Sequence, residues 1–241
     1  GNTELFLAAP DPNLPGNEQE RMRPGEWYHI AVVKKGRNYY LFINGELKAS
    51  VESGAVAGDY AGALEIGRGD HGAGMEYMNG YIDAFRITGS ALWDKRFPVP
   101  TSSGRGADTR LLLQFTEEEM RLGREVTAGD HSFRVYGDGK LEKGEVKYGA
   151  GSLRLDGNGD YLALEDSADW NLGREEFTID LWANVTDFSP WGAKLFQQKT
   201  DQDNYVLLGA DTGGQLKFHI KNKGNTELFL AAPDPNLPGN E

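Results

Sequence analysis

The first eighteen residues, GNTELFLAAPDPNLPGNE, return without a single change at 224–241, 223 residues further on. Eighteen identical residues do not arise by chance, and a repeat of this kind governs every later inference about fold. It fits a window on an array of near-identical 223-residue units, or a permuted chain with an overlapping end. Either way, the natural unit starts near Asp108, runs to Lys223 and continues as residues 1 to about 107. The chain then divides into 1–107, the second half of a unit, 108–223, the first half of the same type of unit, and 224–241, the duplicate of 1–18. The start at Gly1, without Met or a signal peptide, reads as a processed or excised end.

The repeat falls on a structural element. KFHIKNKGNTELFLAA at 217–232 is two alternating apolar runs around Lys-Gly-Asn, the pattern of a β-hairpin. Residues 3–9 repeat the second strand of that hairpin without the first. Two copies of one strand, carried by Thr3, Leu5 and Leu7 and by Thr226, Leu228 and Leu230, therefore compete for one slot. The C-terminal copy closes a short loop at low entropic cost. The N-terminal copy leads straight into the rest of the sheet. The copy left out is free or pairs with another chain, so strand exchange or head-to-tail association is expected.

The remaining sequence is all-β in pattern. In the order of the inferred unit, strand-like runs fall at 108–115, 132–137, 152–156, 160–165 and 176–186, then at 193–200, 204–211 and 215–222, with clear alternation at 152–156, 160–165 and 176–186. They resume at 26–36, 38–47, 63–69 and 78–90, where Ile82, Ala84 and Phe85 are read as turned inward. Residues 116–125 are polar and read as a short helix or a loop. Runs this short, separated by Gly, Asn and Asp turns, imply a two-sheet sandwich or jelly roll. With 241 residues, 39% of them hydrophobic, the chain holds one large β domain or two small ones. There is no cysteine, which excludes disulfides and thiolate metal sites. A net charge of -12 makes nucleic acid and anionic lipid poor partners. No run reaches the ~20 apolar residues that membrane insertion requires.

Five segments carry a family resemblance: KYGAGSLRLDGNGDYLAL, EEFTIDLW, GEWYHIAVVKKGRNYYLFINGEL, LEIGR and NGYIDAFRITGSALWDKRFPVPT. Together they resemble the bacterial and phage branch of the laminin-G-like jelly rolls, over nearly the whole unit and in the right order only after the join. The resemblance implies an antiparallel two-sheet jelly-roll sandwich of the concanavalin A-like type, seen here in permuted order. It implies an extracellular, cell-surface or virion setting.

Candidate sites follow. Glycosidases of this fold carry alternating carboxylates on one strand; here EEFTIDLW offers only Asp180 between apolar residues. Glu117–Glu119 reads as a solvated run, and His29, His71, His131 and His219 show no triad or metal spacing, so no enzyme is expected. By resemblance, Asp83 sits where some relatives hold a structural calcium ion, with carbonyls of the Tyr148–Gly151 loop opposite. The alternative is a hydrogen-bonded strand residue. Glycan binding would use loop or strand aromatics, with Trp191, Tyr205, Trp170 and Trp93 as candidates; the alternative is that these rings cap the sandwich edges. Arg68-Gly69-Asp70 is an adhesion tripeptide that also arises by chance. The expected function is a non-enzymatic extracellular repeat domain for adhesion, spacing or assembly, with itself as partner. The alternative is a carbohydrate-binding module of a secreted bacterial protein or a phage fibre or capsid decoration, with a glycan or surface protein as partner.

Overall fold

The structure is a computed structural model, and it describes residues 21–70, 74–102, 104–173, 175–222 and 228–232. Thr3, Leu5, Leu7 and Thr226 lie outside the described residues. Nearly every alternating run is a strand. First come β1 (Trp27–Lys35), β2 (Asn38–Ile43), β3 (Glu46–Glu52), β4 (Leu64–Ile66), β5 (Arg68–Gly69), β6 (Glu76–Tyr77) and β7 (Asn79–Thr88). Next are β8 (Thr109–Leu113), the helix α1 (Glu117–Leu122), β9 (Phe133–Tyr136), β10 (Lys140–Glu142), β11 (Ser152–Asp156) and β12 (Tyr161–Leu164). A 3-10 turn at Ala168–Trp170 leads to β13 (Phe177–Asp187), β14 (Ala193–Asp201), β15 (Asn204–Ala210), β16 (Leu216–Lys221) and β17 (Leu228–Ala232).

The strands form two antiparallel sheets. The first has the order β10-β11-β7-β13-β1-β2-β3, with β8 also on β7; the second has the order β17-β16-β15-β14-β4-β12-β9. β7 lies between β11 and β13, and β4 lies between β14 and β12. Strands from either side of residue 108 thus alternate in both sheets, and the two segments build one sandwich. Between the sheets, Ile30, Val32, Phe85, Ile87, Ile179 and Leu181 meet Ile66, Leu162, Phe196, Val206, Leu208 and Phe218. Phe85 and Phe196 pack edge to face with centroids 5.8 Å apart.

The hairpin at 217–232 forms as its alternation predicts. Leu228 pairs with Ile220 and Leu230 with Phe218, and both leucines are buried in the core. Among the described residues β17 is the last strand of its sheet. Its end, Ala232, pairs with Leu216, and the N–H of Met22 donates to the nearby Gly214 carbonyl at 3.0 Å. The chain leading into β1 therefore enters the fold beside the end of β17.

Three local readings need correction. Residues 38–47 are not one strand: Asn44 (φ 52) and Gly45 (φ 79) make a tight turn that separates β2 from β3. Two successive positive φ values are what an Asn-Gly hairpin turn requires. Glu119 is not part of a solvated run. It is fully buried, and with Thr116 it forms a reciprocal capping box at the start of α1, while Glu117 and Glu118 stay exposed. Finally, Ala84 is buried, as the alternation of 78–90 suggests, but it lies outside both apolar clusters. The pairing of β7 with β13 slips so that Ala84 and Phe85 oppose only Leu181. This bulge, with Ala84 at φ 52, lets Ile82, Phe85 and Ile87 all reach the core.

The link from β7 to β8 crosses the outer face of the first sheet. Its Ala91, Trp93 and Phe97 cover Ala31, Val33 and Phe42 in a second, smaller apolar cluster. Beneath this strap, Arg86 donates to both oxygens of Asp180 at 2.8 and 3.0 Å, and His29 Nε2 lies 3.3 Å from the same carboxylate.

Candidate functional site

The bulge on β7 also makes a site. Along one side of β7, β11 pairs with Asn79–Ile82 and β8 with Phe85–Thr88. Asp83 falls in the gap between these two partners. Its Oδ2 accepts from the backbone N–H of Lys147 at 2.9 Å and of Tyr148 at 2.7 Å. Its Oδ1 is buried with no hydrogen-bond partner. Burial pushes the carboxyl up to about 6, against the backbone hydrogen bonds from Tyr148, Lys147 and Ala84 that pull it down. A cleft of about 420 Å³ opens here, lined by Asp83, Thr101, Ser102, Gln114, Thr116 and Tyr148 among others. The loop expected opposite Asp83 is the one that holds it, although through N–H groups.

Does this cleft suit calcium? The cleft gathers an orphaned carboxylate oxygen and the oxygen-bearing residues Thr101, Ser102, Gln114 and Thr116, donors of the hard type that calcium takes. The residues fit, with a single carboxylate. Among the described residues no three His, Asp or Glu side chains come together, so the rest of the shell would be neutral oxygens. Asp156 and Asp160 form a turn: Asp160 Oδ2 accepts the Asp156 N–H at 2.9 Å and Asp156 Oδ1 accepts the Asn158 N–H at 2.7 Å.

The four candidate rings fare differently. Trp191, in the turn between β13 and β14, is 64% exposed. Trp170 is 2% exposed and lies edge-on to His131. Tyr205 is also 2% exposed, with its hydroxyl 3.0 Å from His219 Nδ1. Trp93 is half-buried and stacked on Phe97 at 3.9 Å. Burial leaves neither Trp170 nor Tyr205 a face for a ligand, and one face of Trp93 is taken. Trp170 shows why loop position is a poor guide: Ser167 caps its 3-10 turn and rolls the indole into the core. Of the two strand tryptophans, Trp182 is buried and Trp27 is only half-buried, tilted over Tyr81.

Residues outside the sequence-based candidates form a platform instead. Tyr161 on β12 pairs with Tyr136 on β9, and Leu162 and Leu164 on the same strand turn into the core. Both tyrosines therefore point outward. Their rings are parallel within 2° at 4.4 Å, and the Arg68 guanidinium lies over Tyr161 at 4.2 Å. Tyr77 closes the group at 6.4 Å from Tyr161. Arg68 is also held by Glu65 at 3.0 Å. The signal was present in the sequence: Tyr136 and Tyr161 occupy the polar phase of two alternating strands.

The same neighbourhood disposes of the tripeptide. Asp70 is 8% exposed; its Oδ2 accepts from Lys199 and Gln202 at 2.8 Å. With Arg68 on Tyr161 and Asp70 tied down, Arg68-Gly69-Asp70 is not displayed as a loop.

Two facing antiparallel sheets, closed by strands from both halves of the chain, define a jelly-roll sandwich of the concanavalin A-like class. The laminin G-like family described as the concanavalin A-like lectin/glucanases superfamily matches residues 7–96 and 156–241, and the chain belongs to it. No curated protein and no solved structure matches the chain. No helix among the described residues is long and apolar enough to cross a membrane.

Proposed function

We propose that this protein is a non-enzymatic extracellular repeat module that assembles with copies of itself through the β17 slot, in adhesion or spacing. One observation carries the reading. The edge strand Leu228–Ala232 has a residue-for-residue duplicate at 5–9, and the chain that follows the duplicate enters the fold beside the end of β17. Either copy thus suits the slot on β16. The C-terminal copy fills it across the short connection 222–227. The duplicate of one molecule is then available to the slot of another. This pairing is head to tail, so it extends into open chains unless it closes in a ring. The local copy holds the advantage of a high effective concentration, so exchange grows with protein concentration.

Light scattering after size exclusion, across a concentration series, tests this. The mass should climb in steps of one chain, and Leu5→Asp with Leu7→Asp should abolish the steps. A constant monomer mass at every concentration would refute the reading. The absence of enzymatic chemistry is part of it: Asp180, the carboxylate set between apolar residues on β13, is committed to Arg86 under the strap.

A second reading is carbohydrate binding. It is supported by the lectin kinship of the family and by aromatic rings left on the surface, Trp191 and Tyr136. A glycan array with the intact chain and Trp191→Ala tests whether the more exposed ring carries it. In both readings calcium is proposed as a structural cofactor at Asp83.

A further inference from the structure

We propose that the open face of Tyr136 is a saccharide platform, on which a hexopyranose residue of a glycan extends the Arg68–Tyr161–Tyr136 stack by one ring. The inference rests on the carbohydrate-binding reading and assigns it a place that the tryptophans do not.

The argument is geometric. Arg68 and Tyr136 both lie within 4.4 Å of the Tyr161 ring, and the two tyrosine rings are parallel. They cannot share one face of Tyr161, so they take opposite faces. The stack then runs guanidinium, phenol, phenol, and ends at the far face of Tyr136. Among the described residues β9 is the last strand of its sheet, and none of their strands supplies a side chain beyond it. Tyr136 is 39% exposed, whereas Tyr28, Tyr39, Tyr60 and Tyr205 are all buried.

The chemistry of that face selects the ligand. A ring face carries negative charge density and takes groups with partly positive hydrogens, such as the C–H face of a pyranose. Arg134, two residues back on the same side of β9, is exposed and carries guanidinium donors that suit ring hydroxyls. The platform is also preorganised. Tyr136 is pinned by Tyr161, which is pinned by Arg68, which is pinned by Glu65. Little freedom is then lost on binding. Trp191 is more exposed, but among the described residues no ring or cation packs on it. A single stacked ring binds weakly. A repeated module compensates, because linked weak sites gain avidity without new contacts.

The test is affinity electrophoresis of the full chain in native gels containing, in turn, laminarin, hydroxyethylcellulose, xylan or galactomannan. At least one should retard the protein. Tyr136→Ala should weaken that retardation at least tenfold, Tyr136→Phe should leave it within twofold, and Trp191→Ala should leave it unchanged. Because Tyr136→Ala also loosens an edge strand, Tyr136→Leu serves as a second variant; it keeps apolar bulk, lacks a ring face and should lose binding too. Retardation that survives both Tyr136→Ala and Tyr136→Leu overturns the platform and leaves the carbohydrate reading standing. No retardation in any of the four gels overturns both.

Discussion

Asp83 accepts a 2.7 Å hydrogen bond from the N–H of Tyr148 with one carboxylate oxygen and holds the other buried without a partner. Burial raises this carboxyl from 3.8 in the free residue to about 6 in the fold. Below pH 4 the group is protonated in both states, and its contribution to stability is at its fullest. As pH rises from 4 through 6, the unfolded chain ionises first, and that contribution is lost. The shift corresponds to on the order of 3 kcal/mol. Urea melts without calcium should therefore show Asp83→Asn gaining on the parent between pH 4 and pH 7.

Calcium bound at the proposed site would reverse the penalty, because it would give the buried oxygen a counter-charge. At pH 7.5 the ion should raise the Tm of the parent and leave Asp83→Asn unmoved. Equal stabilisation of both by calcium would remove Asp83 from the site.

The Arg86–Asp180 pair is a second buried charge. Both side chains are mostly covered, at 13% and 7% exposure, and His29 completes the group. Asp180→Ala should cost about 3–5 kcal/mol in chemical denaturation, since it leaves Arg86 uncompensated under the strap. Removing both charges, with Arg86→Met and Asp180→Leu together, should recover most of the loss.

Two indoles separate packing from exposure. Trp170→Ala should destabilise by about 3–5 kcal/mol, as a large ring leaving a filled core does. Trp191→Ala should stay within about 0.5 kcal/mol, as expected of a surface change. Thermal melts of the two variants check the contrast.

Glycine substitutions probe the Asn44–Gly45 turn in the same way. Gly45 and Gly25 have nearly the same φ, 79 and 80, but a Cβ on Gly45 runs into the Phe97 carbonyl, while one on Gly25 meets nothing within 4 Å. Gly25→Ala should cost about 1 kcal/mol from backbone strain alone. Gly45→Ala should cost clearly more and loosen the strap, which is held there by the Phe97 N–H on the Gly45 carbonyl.

These residues also show what the sequence made legible. Alternation carried much of the fold: β13 and the β16–β17 pair follow it directly, whereas β15 is a continuous apolar run. The Asn-Gly signal at 44–45 was readable too, although the apolar run across it read as one strand. The bulge at Ala84 was not readable, because a two-residue period has no place for an extra residue until the partner strand is known. The burial of Trp170 and Tyr205 was not readable for the same reason. Trp170 and Tyr205 are large rings in plausible places, but their exposure depends on which strands lie alongside. Tyr136 and Tyr161 lie 25 residues apart, and only the register of β9 against β12 joins them.

One slot on β16 is proposed to accept two copies of a strand, one of them from another molecule. Disulfide trapping tests it most directly, since the chain has no cysteine of its own. His219 pairs with Phe229, and Phe6 is the duplicate of Phe229. Directly paired strand residues lie within disulfide reach. Under mild oxidation, His219→Cys with Phe229→Cys should lock within the monomer. His219→Cys with Phe6→Cys should instead give a covalent ladder of chains that grows with concentration. If the second pair yields only unlinked or internally closed monomers at every concentration, the shared slot is not used between molecules.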